Sequence, residues 1–254
     1  MSDFQDPNQA NNTLPDTMVK IKQLPSGGIA YPDGIEIHYK PYTFGEVKMF
    51  SQAKGNMSSA KSTENILQGI HVSGMEKGQL TFFDFLYIAL LRRLSTMNAI
   101  EFSLNVACPE CQHTNQHQFS WEHLRFEDIA APKLPIITDL CGIQDIKFMP
   151  LTVSEYLELT KLNADDDPIA IAAKQSSLDY HLAYNTFKNA LGDDASTLDD
   201  IDKLLYHDLK PITVTCSNSQ CGAQFPAALD DEASLISPFR KSQSTDGARI
   251  RFGD

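Results

Sequence analysis

Four of the five cysteines occur as two closely spaced pairs, and thiolates at such spacing can hold a metal ion. Cys108 and Cys111 form a Cys-x2-Cys pair within "VACPECQHTNQHQF", and Cys216 and Cys221 form a Cys-x4-Cys pair. Thiolates bind zinc tetrahedrally, and structural sites commonly take four of them from two short turns. The sequence therefore predicts one structural zinc ion on Cys108, Cys111, Cys216 and Cys221. Four protein ligands leave no position for water, so this site is not expected to be catalytic.

Other interpretations of the same residues stay open. A redox Cys-x-x-Cys pair usually opens a helix, and the polar run "QHTNQHQ" after Cys111 is a poor helix signal. The first pair could instead recruit His113 or His117 to a metal of its own and leave the second pair separate. The chain could also bind no metal. The fifth cysteine, Cys141, lies in an apolar run and is predicted to be a small buried side chain.

The elements that must position the cysteines can be read from the flanking sequence. Each pair follows a strand-like segment, "IEFSLNV" before the first and "PITVT" before the second, so each is expected at the turn of a hairpin. Two capping boxes, at Thr43 with Glu46 and at Thr152 with Glu155, predict helix starts after strands. Thr81-x-x-Asp84 and Thr197-x-x-Asp200 are each expected to open a further helix.

These features recur in the same order at nearly constant separation. Cys216 follows Cys108 by 108 residues, and Thr152 follows Thr43 by 109. The spacing predicts an α+β fold of two pseudo-repeated halves, each with a strand, helices and a cysteine-turn hairpin, joined by a zinc-ribbon-like site. The expected division is a flexible N-terminal arm at 1–22, a first half at 23–130, a second half at 131–237 and a basic, flexible C-terminal tail at 238–254.

The two halves are expected to differ from each other in the segment between the capped helix and the cysteine turn. In the first half, "AKGNMSSAKST" is small and polar and predicts an exposed loop, whereas "LTFFDFLYIALLRRL" predicts an apolar central helix. In the second half, Asp167 and Pro168 are expected to open one long helix that continues to about Ala190. Its core face would carry Ile171, Leu178, Leu182 and Phe187.

Composition and motifs exclude several classes of function. The net charge of −12 disfavours broad binding to nucleic-acid phosphates. No apolar segment is long enough to span a bilayer, and the polar N-terminus lacks the features of a signal peptide, so a reducing cytoplasm is the expected setting. The phosphate-loop, nucleophile-elbow and His-Glu-x-x-His motifs are absent from the sequence. We therefore expect neither an enzyme nor a small-molecule substrate.

A family resemblance rests on the first half. Leu24-Pro25-Ser26-Gly27-Gly28 with Tyr31-Pro32, a following strand, the "PYTFGE" turn into a helix and the later "FSLNVACPEC" resemble the small baseplate hub proteins of T-even-like contractile-tailed bacteriophages. The resemblance covers about residues 22–125. It implies a structural or assembly component of the tail baseplate hub, with other baseplate and tail proteins as partners. It also implies a location in the virion and, during assembly, in the host cytoplasm.

The alternative function is a zinc-ribbon adaptor that contacts nucleic acid. Such a protein needs a basic or aromatic surface beside the cysteine turns. The sequence near the turns instead carries five acidic residues, which would repel phosphate: Glu110, Glu122, Asp230, Asp231 and Glu232. Nucleic acid is therefore the less favoured partner.

Overall fold

The fold mixes helices with small antiparallel sheets, as the α+β prediction required. The computed structural model describes residues 17–52, 58–97, 101–120, 133–205, 212–227 and 251–252. The seven helices of these ranges are α1 (Phe44–Gln52), α2 (Ser59–Gln68), α3 (Phe82–Met97), α4 (Val153–Lys161), α5 (Pro168–Gln175), α6 (Tyr180–Phe187) and α7 (Asp193–Leu205). None of them has the length and apolar character needed to span a membrane.

The strands of the described ranges form four separate sheets, and every pairing is antiparallel. One sheet has the order β1-β2-β3, a second has the order β10-β4-β5, and β6-β7 and β8-β9 are two-stranded hairpins. The strands are β1 (Val19–Lys20), β2 (Glu36–Tyr39), β3 (Ile70–Ser73), β4 (Glu101–Ala107), β5 (Thr114–Ser120), β6 (Ile136–Leu140), β7 (Ile143–Phe148), β8 (Ile212–Thr215), β9 (Gln224–Ala227) and β10 (Arg251–Phe252).

Both capping boxes form as the sequence predicts. The Thr152 hydroxyl accepts a hydrogen bond from the Glu155 backbone amide at 3.3 Å, and the Glu155 carboxylate accepts one from the Thr152 amide at 2.8 Å. Thr43 and Glu46 make the same reciprocal pair at the start of α1, at 3.3 and 2.7 Å. Each box satisfies amides that the first helical turn leaves without partners, and so fixes where α1 and α4 begin.

The long helix predicted from Asp167 to Ala190 is wrong. Asp167 caps α5 as expected, but α5 ends at Gln175 and a new helix, α6, begins after Asp179. Between them the chain turns extended and pairs with β7, since Ser176 bridges Phe148 and the Ser177 amide donates to the Lys147 carbonyl oxygen at 2.8 Å. The break rotates the face of α6, so Phe187 is buried whereas Leu182 is 51% exposed.

Two further local predictions fail for the same kind of reason. The segment predicted as an exposed loop contains the start of α2, which Ser58 caps and in which Thr63 is fully buried. Thr197 does not open a helix, because α7 has already begun at Asp193 and the Thr197 hydroxyl donates to the Asp193 carbonyl oxygen at 2.8 Å. By contrast, Thr81 does precede α3, and its hydroxyl accepts from the Asp84 amide at 3.3 Å.

The larger hydrophobic core takes residues from both sides of residue 130. It surrounds α3, whose Phe85, Ile88 and Ala89 are fully buried. It also includes Leu151, three residues of α4 and three of the second cysteine hairpin: Val153, Tyr156, Leu159, Val214, Cys216 and Phe225. A smaller core lies between the β6-β7 hairpin and helices α5 to α7.

Two charged side chains of α3 are fully buried, and each binds other segments of the first half. The Asp84 carboxylate accepts from the amide and the hydroxyl of Ser26, at 3.1 and 2.6 Å, and from the Tyr31 hydroxyl. Arg92 donates to the carbonyl oxygens of Lys40 and Ile66, at 2.8 and 2.6 Å, and to the Glu46 carboxylate at 2.9 Å. These contacts hold the "LPSGG" loop and the start of α1 against α3, which leads directly toward the first cysteine hairpin.

Candidate metal centre

The first cysteine pair lies in the tight turn between β4 and β5. The Cys108 amide donates to the His113 carbonyl oxygen at 2.9 Å, and the Gln112 amide donates to the Cys108 carbonyl oxygen at 2.9 Å. Gln112 follows Cys111 directly and has a φ of 58°, in the left-handed region that few residues other than glycine adopt. This geometry reverses the chain so that both sulfurs point to one side of the turn.

The second pair lies in a similar turn between β8 and β9. The Cys216 amide donates to the Ala223 carbonyl oxygen at 2.8 Å, and the Cys221 amide donates to the Asn218 carbonyl oxygen at 2.9 Å. Gly222 follows Cys221 with a φ of 61°, so both turns place a left-handed residue directly after their second cysteine. The two pairs therefore sit in corresponding hairpin turns despite their different spacing.

The structure brings all four cysteine sulfurs together. They lie within 4.8 Å of one another, and among the described residues they are the one such group of three or more potential metal ligands. Two of the contacts cross between hairpins, with 3.8 Å from the Cys108 sulfur to the Cys221 sulfur and 3.6 Å from the Cys111 sulfur to the Cys216 sulfur. A tetrahedral ion with Zn–S bonds of about 2.3 Å separates its sulfurs by about 3.8 Å. The donor set thus fits one tetrahedral metal ion.

The four thiols differ in burial. Cys108 and Cys216 are buried and belong to the larger core, Cys221 is half-buried and Cys111 is exposed. The cluster is therefore continuous with the hydrophobic interior on one side and reaches solvent on the other. Such a position suits a structural ion that joins surface turns to the core.

Neighbouring groups also give the thiols different acidity. The His113 backbone amide, together with hydrogen bonds from the other three thiols, lowers the pKa of Cys111 to about 7. The Ala223 amide lowers the pKa of Cys221, but the Cys111 sulfur and burial outweigh it and raise that pKa to about 12. Burial raises the pKa of Cys216. A divalent metal would replace the protons that the four thiols retain. The metal affinity of the cluster should therefore increase with pH.

Histidine does not join the cluster. The His113 Nε2 lies 3.0 Å from the Ser217 hydroxyl of the other turn, and His117 lies farther along β5, opposite Leu104. The Cys-x2-Cys pair is in a hairpin turn and not at a helix start, so it lacks the helix terminus that usually activates a redox pair. Of the interpretations left open by the sequence, the shared four-cysteine cluster matches the geometry best.

Sequence reasoning missed the polar groups that connect the two turns. The buried side chain of Asn115 accepts hydrogen bonds from the Ser217 amide at 2.6 Å and from the Ser217 hydroxyl at 3.0 Å. An asparagine at an inward position of a strand beside the cysteines was the one available signal. Cys141 differs from its prediction, because it is half-buried in the β6-β7 turn with a φ of 52°. The tail at 238–250 lies outside the described residues.

The comparison with known proteins bears on the first part of the chain. Residues 17–136 match the model of the T4 bacteriophage base plate protein family. No curated protein and no solved structure matches the chain. The matched residues include the "LPSGG" loop, helices α1 to α3 and the first cysteine turn, so the resemblance to T4-like phage baseplate proteins is confirmed. Over residues 17–136, the chain is similar to the T4 bacteriophage base plate protein family.

Proposed function

We propose that this protein is a structural or assembly component of the phage tail baseplate hub and that one zinc ion on Cys108, Cys111, Cys216 and Cys221 holds its two cysteine turns together. The family match carries the baseplate role and the contact with other tail proteins. The position in the hub comes from the likeness of the "LPSGG" and "PYTFGE" segments to small hub proteins. A protein of this kind acts through rigid surfaces and needs no catalytic site.

The four-sulfur cluster supports the metal. Four thiolates at tetrahedral spacing favour zinc or iron among biological metals, and zinc is the usual ion of paired cysteine turns. All four ligand positions would come from protein, which makes the ion structural. By this proposal, the ion stabilises the docking of the second hairpin on the first and keeps one shape available to neighbouring chains.

We further infer that the two halves, 23–130 and 131–237, are structural repeats. Each half contains a strand, a capped helix, further helices and a hairpin with a cysteine turn, in that order. The corresponding left-handed residues Gln112 and Gly222 support this relationship. The first half has a strand, β3, between its helices, and the second half begins with the β6-β7 hairpin where the first begins with the single strand β2. The repeat is therefore one of approximate element order and local geometry.

Protein partners are favoured over nucleic acid. The net charge is −12, and Glu110 is exposed beside Cys111. We assign the part of the arm at 1–22 that precedes β1, and the part of the basic tail at 238–254 that precedes β10, to docking on other tail proteins, in the host cytoplasm during assembly and then in the virion. Deletion of 238–254 is expected to reduce capture of the protein into hub assemblies, and undiminished assembly would remove the tail from this role.

Elemental analysis of the purified protein tests the metal directly. We expect one zinc per chain in the wild type, strong depletion in both Cys108→Ser and Cys216→Ser, and full occupancy in the control Cys141→Ser. Retention of metal at one pair after mutation of the other would contradict a shared site. Copurification with baseplate proteins from infected cells tests the hub role separately.

A further inference from the structure

One buried amide links the two cysteine turns through groups other than their sulfurs. Asn115 lies on β5 and is 3% exposed. Its Nδ2 donates to the carbonyl oxygens of His113 at 3.0 Å and Val106 at 3.3 Å, both in the first hairpin. Its Oδ1 accepts from the amide and the hydroxyl of Ser217 in the second hairpin. An asparagine side chain offers two donors and two acceptor positions, so its full capacity is used.

The partners of this amide are the residues that determine where the sulfurs lie. Ser217 follows Cys216 directly, and His113 is the residue whose carbonyl oxygen accepts from Cys108 in the first turn. The single Ser217 hydroxyl proton goes to Asn115, so the His113 Nε2 at 3.0 Å must donate to that hydroxyl. Together, these contacts fix the position of one turn relative to the other.

We propose that Asn115 is a positioning residue for the metal centre: it docks the Cys216 turn on the Cys108 turn before a metal binds, and thereby sets the metal affinity. This inference rests on the proposed metal-binding function. Ligands brought together during folding need not be ordered when the ion arrives, so a pre-docked cluster binds more tightly. Loss of groups that orient metal ligands typically weakens binding about 10- to 100-fold.

The test compares Asn115→Ala with the control Asn189→Ala in the full chain. Asn189 also uses its amide to bind a backbone carbonyl oxygen, that of Asn185 at 2.7 Å, but it is exposed and outside the cluster. Zinc affinity is measured by competition with a chelator, and hydrogen exchange at the Ser217 amide is measured in protein stripped of metal. We expect Asn115→Ala to bind zinc about 10- to 100-fold more weakly and to lose protection at Ser217. Asn189→Ala should change neither quantity.

The outcomes separate this inference from the proposed function. Wild-type protein that binds no zinc would refute the metal centre and, with it, a positioning role. Wild-type protein that binds zinc no more tightly than Asn115→Ala would overturn the positioning role alone. Rapid exchange at Ser217 in stripped wild-type protein would also overturn it, since the turns would then dock only through the metal.

A second variant keeps the test decisive if Asn115→Ala does not fold. Ser217→Ala retains the backbone donor to Asn115 and removes only the hydroxyl contacts with Asn115 and His113. We expect a weaker effect, about threefold to tenfold in zinc affinity, in line with the loss of one or two neutral hydrogen bonds. Unchanged affinity in this folded variant would overturn the positioning role.

Discussion

Thr81 and Thr152 lie opposite each other in an antiparallel β-bridge, and each directly precedes a helix, α3 in one case and α4 in the other. Backbone hydrogen bonds of 2.8 and 2.9 Å flank the bridge. Beside it, the rings of Phe82 and Tyr156 stack with centroids 3.9 Å apart. The parts of the chain on either side of residue 130 are therefore joined at the helix starts as well as at the cysteines.

Removal of the metal is expected to lower the melting temperature while unfolding remains a single cooperative transition. The β-bridge and the larger core persist without the ion, so the halves should stay in contact. Calorimetry on zinc-loaded and chelator-treated protein measures this, with Cys141→Ser as a control that should respond to the chelator like the wild type. Two separate transitions after chelation would show that the metal alone joins the halves.

Substitution of the residue that follows the second cysteine should cost more stability in the second turn than in the first. A Cβ added at Gly222 would meet open space, but the backbone there is left-handed, so Gly222→Ala should cost about 1–2 kcal/mol from conformation alone. Gln112→Gly relieves the same strain in the first turn and adds unfolded-state entropy, so its net effect should be below about 1 kcal/mol. Denaturant unfolding of the zinc-loaded proteins gives both values. A larger loss in Gln112→Gly than in Gly222→Ala would contradict the strain argument.

The Arg92 guanidinium lies so close to Gly69 that a side chain at this position would clash with it. A Cβ added at Gly69 would lie 2.1 Å from the Arg92 Nη2, and the three hydrogen bonds of the buried guanidinium prevent it from moving aside. We expect Gly69→Ala to destabilise the fold toward the upper end of the range of about 1–3 kcal/mol typical of over-packing.

Gly45→Ala is the matched control for that substitution. Gly45 lies in α1, and the nearest atom to an added Cβ is the Thr43 hydroxyl oxygen at 3.9 Å. Replacement of glycine by alanine inside a helix should stabilise it by about 0.5–1 kcal/mol. Chemical denaturation that gave both variants the same sign would refute the packing argument.

The ion pair of Glu46 with Arg92 predicts acid sensitivity. Burial raises the pKa of Glu46, but hydrogen bonds from Thr43 and the Arg92 guanidinium lower it by a larger amount. The pKa of Glu46 is therefore below its ordinary value. A depressed carboxylate pKa stabilises the fold fully above the unfolded value of about 4.3, and this stabilisation is lost as the pH falls through the folded pKa.

Glu46→Gln keeps a capping residue and removes the charge, so it should lower stability at pH 7 and flatten the acid limb of the stability profile. Glu36→Gln is the control, because the Glu36 pair with Lys20 is exposed and contributes little. Unfolding free energies between pH 3 and 7 provide the measurement. A Glu46→Gln profile as steep as that of the wild type would assign the acid limb to other groups.

Local signals in the sequence were sufficient for the features that depend on a few neighbouring residues. The capping boxes at Thr43 and Thr152 form because donor and acceptor lie three residues apart, and the cysteine turns follow strands whose pattern is local. Grouping of the cysteine pairs could also be predicted, because two pairs, each expected in a hairpin turn, supply the four thiolates of a structural zinc site.

Features set by distant partners could not be predicted in this way. The break between α5 and α6 depends on Ser176 and Ser177 finding an open position beside β7. Asn115 is buried because its partner Ser217 arrives from 102 residues away. Arg92 ends an apolar run and would be expected at the surface, yet the carbonyl oxygens of Lys40 and Ile66 hold it fully buried.

The cluster crosses the boundary of the family match, and this has an evolutionary consequence. Cys108 and Cys111 lie within residues 17–136, whereas Cys216 and Cys221 lie beyond them. Two thiolates alone leave half of a tetrahedral coordination sphere unfilled. Neither pair could therefore hold a structural metal ion tightly without the other. Natural selection should therefore retain or lose the two pairs together, and a homologue lacking one pair is expected to lack the other.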